Sequence, residues 1–428
     1  MNYAKLLLEL TLRLSAAGVL KQEDEPRGVI ELRPATAPRA TALAPLQFTY
    51  SSANPEHLDR LDLASWQHAG GDLLHAAIGY DTRDPLWLKS LRIAAAGVAH
   101  YAIEFSAHEF GHVSSFSRAG CRDVAFGSED QVAADWESPT VADFLTGAFE
   151  SSPTPVNVSA SDWKRIGEIF AGRPRDFAAF MVLTEAGGLN QEQIALSEHA
   201  ARMGEEGLSL LEVVPFLLAA TSTLRYPSSA EHSDLADYVG RLEELGVSAE
   251  VSTIKVLSAF RFLSGSGLSL LGAFVADLSG AGNGQAGPIR FALGEASHVD
   301  WPEIESYLSR YGPTLKASVA LRIAGLDLRP SYERSFAGGE STHEIGLRAE
   351  GELAPWLRLT GAAFAGDEGG RWLEGGVEAR PLGWLVLNAS YVSAAGYTVH
   401  REVFGANLPM IDAAESGLRL TIGVTWTF

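Results

Sequence analysis

The chain has 428 residues, a formal net charge of −20 and a pI near 5.0. This length is sufficient for two domains, each with its own hydrophobic core. The acidic balance, with no basic stripe, argues against nucleic acid as a partner. The single cysteine, Cys121, rules out an internal disulfide, and we expect its side chain to fill space in the core rather than to bind a metal.

The N-terminal part of the chain predicts helices that are too short to cross a membrane. Residues 1–20 contain an apolar run that Glu9 and Arg13 interrupt, which favours an amphipathic helix over a signal peptide. Helical periodicity follows from Asp59 to Ala77, and Pro85 begins a long apolar helix. Later apolar segments also fall short of the roughly 18 uncharged residues that a transmembrane helix requires.

The long helix after Pro85 carries the pattern H-E-x-x-H. His108 and His112 stand one turn apart on the same helix face, so both imidazoles can reach one Zn²⁺ ion. Glu109 projects beside them, where it can act as the catalytic base on a water molecule. Four and eight residues before His108, Glu104 and His100 continue the polar stripe, and we predict that they orient the ligand imidazoles.

The stretch from Tyr101 to Gly120 resembles the active-site helix of the site-two protease family of zinc metallopeptidases. The likeness is carried by H-E-F-G-H and by the small residues that follow it. It implies His108 and His112 as zinc ligands and Glu109 as the catalytic base. It leaves the third zinc ligand open.

A glycine-rich stretch predicts where the third ligand lies. Gly187 and Gly188 predict a break in the chain. Asn190 is a suitable N-cap for the helix that follows, which places Glu192 in the first turn of that helix. The sequence GGLNQE resembles the corresponding segment of gluzincin metallopeptidases, which implies Glu192 as the third ligand with Asn190 beside it. Glu192 would also complement the helix dipole without any metal. Three other ligands stay open, Glu185, Glu198 and His199.

Two further sets of residues could approach the metal. His68 and His75 lie in the first predicted helix, but isolated histidines are more often surface or supporting residues than ligands. Asn407, Pro409 and Asp412 resemble the elements that supply the third ligand in site-two proteases. They lie between two apparent strands, however, and predict a loop.

The helical pattern ends near Ser279. Before it, the segments Leu208 to Leu224 and Val251 to Leu278 predict apolar helices that wall the metal site. After it, apolar and polar residues alternate, most clearly from Leu418 to Phe428. The apparent strands cover about 288–294, 314–323, 325–335, 342–353, 355–366, 370–380, 383–394 and 416–428. The segment 46–50 would raise this count if it joins the sheet.

The alternation has two physical interpretations. In a soluble sheet the apolar face is the core, whereas in an outer-membrane barrel it faces lipid. Strand lengths near ten residues and aromatic residues near the strand ends favour the barrel. The alternating strand that ends at Phe428 resembles the C-terminal signal of Gram-negative outer-membrane proteins. This resemblance implies outer-membrane lipid and the outer-membrane assembly machinery as partners.

The sequence therefore predicts an α+β protein in two parts. Residues 1–280 form a mostly α-helical, metallopeptidase-like domain, and residues 281–428 form an antiparallel up-and-down β-barrel of about eight strands. The predicted function is a zinc metallopeptidase of the Gram-negative outer membrane that cleaves a peptide or protein substrate. Its catalytic domain would lie in the periplasm or inside the barrel.

Two other functions remain open at this point. The first is a zinc hydrolase that acts on an envelope lipid or glycan. The second is an outer-membrane assembly or binding protein without enzymatic activity, in which hydrogen-bonded core histidines account for the stripe.

Overall fold

The structure is a computed structural model of an α+β protein, with helices in its N-terminal half and an antiparallel sheet in its C-terminal half. This confirms the predicted fold class at that level. The structure describes residues 30–31, 46–51, 60–121, 124–126, 156–206, 208–226, 233–282, 284–294, 297–323, 325–338, 342–367, 371–382, 385–395 and 417–426.

Helices build the first unit of the described chain. They are α1 (Arg60–Ile78), α2 (Leu86–Arg118), α3 (Ala160–Ile169), α4 (Pro174–Glu185), α5 (Gly187–Glu206), α6 (Val213–Arg225), α7 (Asp234–Glu244), α8 (Val251–Ala259) and α9 (Gly265–Leu278). Helices α3, α7 and α9 begin at serine N-caps, because the hydroxyls of Ser159, Ser233 and Ser264 each accept from the N–H three residues on. The helices predicted near residues 59–77 and after Pro85 are confirmed.

Helix α2 is the central rod of this unit, with 33 residues that carry the H-E-x-x-H pattern. It packs against α1, α4, α5 and α6. It ends at Arg118, and Gly120 just beyond it has a φ of 79°, which lets the Cys121 N–H donate to the Phe116 carbonyl at 3.1 Å. Cys121 is buried in an apolar cluster with Phe116 and Phe180, so it fills space there.

Helices α2 and α5 touch backbone to backbone. A Cβ atom on Gly111 would lie 2.4 Å from the Gly187 carbonyl oxygen, and one on Gly187 would lie 2.5 Å from the Gly111 carbonyl oxygen. Only glycine allows this approach, so the glycine inside H-E-F-G-H has a packing role. Gly187 and Gly188 are the first two residues of α5, whereas the sequence predicted a break in the chain there, before the helix.

Strands build the second unit. They are β1 (Ile30–Glu31), β2 (Leu46–Ser51), β3 (Val124–Phe126), β4 (Val156–Val158), β5 (Leu208–Ser209), β6 (Gln285–Ala286), β7 (Arg290–Gly294), β8 (Ser297–Asp300), β9 (Glu303–Ser309), β10 (Gly312–Ser318), β11 (Leu321–Ile323), β12 (Leu326–Ser335), β13 (His343–Ala354), β14 (Leu357–Gly366), β15 (Arg371–Leu382), β16 (Leu385–Ala395) and β17 (Gly417–Trp426). Strands β3 with β4 and β5 with β6 form two small ribbons.

The main sheet is antiparallel and has 13 strands within the described ranges, more than the eight predicted. Its main path is β1-β7-β8-β11-β12-β13-β14-β15-β16-β17-β2, and β12 pairs in addition with β10, which pairs with β9. From β12 to β17 the strands follow one another as predicted. At the two ends of the path, no described pairing joins β1 to β2, so the described strands form a sheet and not a closed barrel.

The extra strands have physical reasons. Strand β2 joins the sheet by pairing with β17, as the segment 46–50 allowed. The predicted strand 314–323 divides into β10 and β11, which pair with opposite halves of β12. Strand β9 was not predicted, because its last five residues are all buried. A strand that is covered on both faces shows no alternation of apolar and polar residues.

Strand β9 also connects the sheet to the helices. The side-chain amide of Asn190 on α5 bonds to both the N–H and the carbonyl of Leu308, each at 2.8 Å. The Tyr238 hydroxyl on α7 donates to the Ser309 carbonyl at 2.7 Å, and Leu308 packs in one apolar cluster with Leu189 and Tyr238. The helices that carry the polar residues are therefore fixed to one edge of the sheet.

No single helix within the described ranges combines the length and the hydropathy of a membrane span. One pair, Val251–Leu263 with Gly265–Leu278, reaches both values together but is bent by 62° at the break.

The glycine contact between α2 and α5 predicts a large effect of one methyl group. We expect Gly111→Ala to destabilise the protein by about 2 kcal/mol, because the backbone of α5 must move to admit the Cβ atom. The matched control is Gly97→Ala on the same helix, where a Cβ atom meets nothing within 4 Å. This control should be neutral or stabilise by about 0.5–1 kcal/mol, since alanine favours helix. Urea unfolding of both variants measures the difference, and equal midpoints would contradict the close contact.

Candidate metal centre

Three side chains that could bind a metal ion, those of His108, His112 and Asp234, lie together at the start of α7. The Nε2 atoms of His108 and His112 lie 3.4 Å apart. The Oδ2 atom of Asp234, the first residue of α7, lies 2.7 Å from Nε2 of His108 and 3.6 Å from Nε2 of His112. The three residues form one of the groups in the described chain that could hold a metal ion.

The other nitrogen of each ring is held by a separate partner. Nδ1 of His108 lies 2.9 Å from Oε1 of Glu192, and Nδ1 of His112 lies 2.7 Å from the Thr184 carbonyl oxygen. A carbonyl oxygen only accepts hydrogen bonds, so His112 carries its proton on Nδ1 and presents an Nε2 lone pair. His108 has a carboxylate at each nitrogen, Glu192 at Nδ1 and Asp234 at Nε2, so an ion bound at Nε2 would replace the proton on that side. Both rings are thus oriented as metal-ligating histidines usually are.

Ligand separations test whether an ion fits here. In tetrahedral zinc sites, bonds of about 2.0–2.2 Å place the ligand atoms roughly 3.4 Å from one another. Two of the three separations, 3.4 Å and 3.6 Å, agree with this value. The third, 2.7 Å between His108 and Asp234, is a hydrogen-bond distance, so this carboxylate must withdraw slightly to share an ion. The residues fit a divalent cation with one nitrogen from each imidazole and one carboxylate oxygen.

The absence of a side chain at Gly188 leaves space for the His108 imidazole. A Cβ atom on Gly188 would lie 2.4 Å from Nε2 of His108. Any larger residue would displace this imidazole, so Gly188 is required by the geometry of the site. Asn190 is not an N-cap here, because its N–H donates to the Ala186 carbonyl within the helix and its side chain binds β9.

Glu192 occupies a different position from the one expected for the third ligand. Its Oε1 atom accepts from Nδ1 of His108 and from the Ser222 hydroxyl at 2.8 Å, on the far side of the ring from Asp234. Asp234 takes the place beside the two Nε2 atoms instead. The sequence did contain a signal for it, since Ser233 followed by Asp234 is typical of a helix start. The partial positive charge at that helix end favours a carboxylate.

Glu109 and Tyr226 complete the centre. Burial raises the pKa of the Glu109 carboxyl, against the opposing effect of the two neighbouring imidazoles. The Tyr226 hydroxyl donates to Oδ2 of Asp234 at 2.6 Å and lies 3.4 Å from Nε2 of His108. Burial and the nearby Asp234 charge raise the pKa of Tyr226 well above its usual value, so it stays a donor. No motif in the sequence singles out Tyr226.

The charges of these residues are strongly coupled. Burial alone would raise the pKa of Asp234, but the contacts with both imidazoles outweigh it and leave that pKa well below its usual value. Burial would likewise lower the pKa of His108, while Asp234 and Glu192 raise it more. Oε2 of Glu192 is buried without a hydrogen-bond partner among the described residues. Several buried carboxylates therefore face this point, and positive charge there is needed to stabilise them.

The remaining residues named from the sequence do not belong to this group. Glu185 lies 3.9 Å from the Arg241 guanidinium and within electrostatic range of His112 and Asp234. His199 lies beside Glu212 in a second cluster. Glu198 belongs to none of the potential metal groups in the described part of the chain. The segment with Asn407, Pro409 and Asp412, and residues 1–20, lie outside the described residues.

His100 and Glu104 are buried on the polar stripe, but their contacts are not with the two ligand imidazoles. Nε2 of His100 lies 2.7 Å from Nε2 of His75, and the Gln67 amide donates to Oε2 of Glu104 at 3.2 Å. Burial lowers the pKa of His100 to about 3, so this ring is neutral. Orientation of the ligand rings falls to Glu192 and the Thr184 carbonyl instead.

No protein-family model matches the chain, no curated protein matches it, and no solved structure matches it. We therefore assign the chain to no family.

Burial of Glu104 predicts a pH dependence of stability. Burial, with Glu192 and Glu212 nearby, raises the pKa of Glu104 to about 8. The folded chain therefore holds this proton more tightly than the unfolded chain, and stability contributed by Glu104 is lost as pH rises from about 4.5 towards 8.

We expect Glu104→Gln to remove this loss, because glutamine can still accept the hydrogen bond from Gln67. The variant should match the parent near pH 5 and exceed it by up to about 4 kcal/mol near pH 8.5. Urea unfolding at both pH values measures the difference. Parallel pH profiles of the two proteins would show that Glu104 is ionised throughout.

Proposed function

We propose that this chain is a zinc metallopeptidase in which His108, His112 and Asp234 hold the ion. The observation that carries the proposal is the convergence of two Nε2 atoms and one carboxylate oxygen at ligand separations, with each Nδ1 atom bound elsewhere. Two imidazoles and one carboxylate are a frequent donor set of catalytic zinc sites, which keep a further position for water or substrate.

When bound, zinc supplies a Lewis acid that polarises a carbonyl and makes water nucleophilic near neutral pH. Glu109 is placed one residue after the first ligand, next to the same point, where it can accept a proton from the attacking water and return it to the leaving amine. Its partial burial raises its pKa towards neutrality, which suits a group that must both take and give a proton. These are the residue roles of H-E-x-x-H peptide hydrolysis.

Tyr226 supplies a hydrogen-bond donor at the edge of the site. Its hydroxyl reaches both Asp234 and the Nε2 side of His108, and it remains protonated. We propose that it steadies the Asp234 carboxylate and can donate to the negative charge that develops on a substrate carbonyl.

The catalytic roles predict separate effects of two variants on activity and metal content. Glu109→Gln should lower peptide turnover by at least about 100-fold while zinc content stays unchanged, because glutamine cannot take the proton. Asp234→Asn should lose both zinc and turnover. Metal analysis and cleavage of a mixed peptide library by the full chain measure both.

Glu192→Gln is the control for the choice of third ligand. We expect it to weaken zinc binding roughly 10- to 100-fold, the usual effect of losing a group that orients a ligand. A larger loss than Asp234→Asn shows would make Glu192 the ligand. Zinc without peptide turnover, but with turnover of lipid or glycan analogues, would favour an envelope hydrolase. A chain that never binds zinc would favour a structural histidine stripe.

We propose further that the sheet lies in the outer membrane of a Gram-negative cell. Its apolar side chains point away from the protein, as Ile345 and Leu373 are 63% and 55% exposed, respectively. Glu344 and Glu333, which alternate with them on the other face, are 2% and 1% exposed. A soluble sheet would bury the apolar face, whereas a lipid-facing sheet exposes it and turns its charges inward.

Two observations support closure of this sheet into a barrel. On the inward face Lys316 lies 3.1 Å from Glu305 and 3.8 Å from Glu333, so charges there are compensated by one another. The two edge strands, β1 and β2, are consecutive in the chain, which would let the edges meet. The proposed partners are outer-membrane lipid and the machinery that assembles outer-membrane proteins.

The membrane proposal predicts that a charge on the apolar face prevents insertion. Leu347, which is exposed on β13, should tolerate lysine poorly, at a cost of about 2–4 kcal/mol if it lies near the bilayer midplane. The control is Ser252→Lys, at an exposed position on α8. Flotation of the refolded full chain with phospholipid vesicles measures insertion. A wild-type chain that stays monomeric in detergent-free buffer and does not float with the vesicles would refute the membrane proposal.

A further inference from the structure

A second cluster of histidines is buried beside the first but is not used by the proposed reaction. It surrounds Glu212, which lies in the short 3₁₀ helix Leu210–Glu212 before α6. The cluster contains His68, His75, His100, His199 and Asp72. Glu212 is 3% exposed and His199 also 3% exposed, so solvent cannot compensate their polar atoms.

The carboxylate of Glu212 faces two different imidazoles. Its Oε2 atom lies 3.1 Å from Nδ1 of His199, and its Oε1 atom lies 3.4 Å from Nδ1 of His75. Both are ion-pair contacts with the Glu212 carboxylate, and neither Nδ1 atom has a further hydrogen-bond partner in the described part of the chain. A buried carboxylate between two imidazoles is a position where a cation would be stabilised.

His68 is the third residue of this cluster that could bind a metal ion. Its Nε2 atom lies 3.2 Å from the Ala195 carbonyl oxygen, which can only accept, so the proton is on Nε2 and the lone pair is on Nδ1. The His68 ring meets the His199 ring edge-on, with centroids 4.4 Å apart. One donor atom each from His68, His199 and Glu212 lie within 4.8 Å of one another.

We propose that His68, His199 and Glu212 form a second binding site for a divalent transition-metal ion. The three residues come from α1, α5 and the 3₁₀ helix before α6, so an ion here would cross-link three separate segments of the helical unit. The backbone carbonyl that fixes the His68 tautomer has the role that such partners have in structural metal sites. An ion would lie between the Nδ1 atom of His199 and the Glu212 carboxylate and would neutralise Glu212.

A neighbouring set is a weaker candidate for the same ion. Asp72 and His75 also approach Glu212. The Asp72 carboxylate, however, already binds the Arg202 guanidinium at 3.0 and 2.8 Å, and Nε2 of His75 is bonded to His100 at 2.7 Å. An ion at that position would have to compete with a guanidinium charge, so we favour the His68 and His199 side.

This site is separate from the proposed catalytic centre. His100 beside the cluster and His108 in the centre are eight residues apart on one helix, about 12 Å along its axis. Between them, Gln191 donates to Gln67 at 3.1 Å, and Gln67 donates to Glu104 at 3.2 Å. The two sites share no donor, so variants of one can be tested without removing ligands of the other.

The test is metal stoichiometry of the full chain, purified in detergent without chelator, stripped of metal and titrated with Co²⁺. Wild type should bind about two equivalents, with ligand-field absorption bands for two environments. His199→Gln and Glu212→Gln should each bind about one equivalent. His112→Gln should also bind about one, but with the other set of bands. The control His298→Gln, a half-buried histidine on β8, should still bind about two.

Some outcomes would overturn the second site. Wild type that binds only about one equivalent, with none left in His112→Gln, would show that the histidine cluster binds no metal. This comparison does not depend on His199→Gln being folded. Loss of the second equivalent in Asp72→Asn, with none lost in His199→Gln, would move the ion to the neighbouring set and refute the ligands named here.

Discussion

The direct contact between the backbones of α2 and α5 determines the candidate centre. With Gly111 and Gly187 in contact, the first turn of α5 is forced against the His108 ring, and only glycine at position 188 leaves space for that ring. The same approach places Glu192 at Nδ1 of His108, while α4, which packs on α2 just before α5 begins, places the Thr184 carbonyl at Nδ1 of His112. The packing of α4 and α5 on α2 therefore fixes both imidazole orientations without any ion.

Orientation of the imidazoles leaves their other nitrogens to a third element. Helix α7 starts at Asp234, and its serine cap and apolar face, with Leu235, Tyr238 and Leu242 buried, hold that start close to α2. Tyr238 in turn reaches β9, which Asn190 also binds. The Asp234 carboxylate is thus positioned through the interface between helices and sheet. A substitution in β9 would therefore change the geometry of the candidate centre without altering any of its own side chains.

Local patterns in the sequence predicted local structure well. Spacing by four residues placed His108 and His112 on one face of α2, and alternation located β12 to β17 within a few residues. The third ligand that we propose could not be predicted, because Asp234 is 126 residues from His108 and only folding brings them together. Glu192 was predicted from its helix, and its carboxylate does reach His108, but at Nδ1 and not at Nε2. Strand β9 was missed because burial on both faces removes the alternation that marks a strand.

The polar stripe on α2 shows how such a helix can be buried at all. Each turn of its face meets a different partner: Asp234 and Glu192 at His108, the Gln67 amide at Glu104, and His75 at His100. Since an uncompensated charge inside a protein costs several kcal/mol, these partners are a condition of folding and not only of function. Positive charge is needed near His108, where carboxylates converge, while His100 is neutral and hydrogen-bonded. The stripe therefore combines His108, where an ion would be stabilised, with the His100 ring, which is neutral, and Glu104 lies between them.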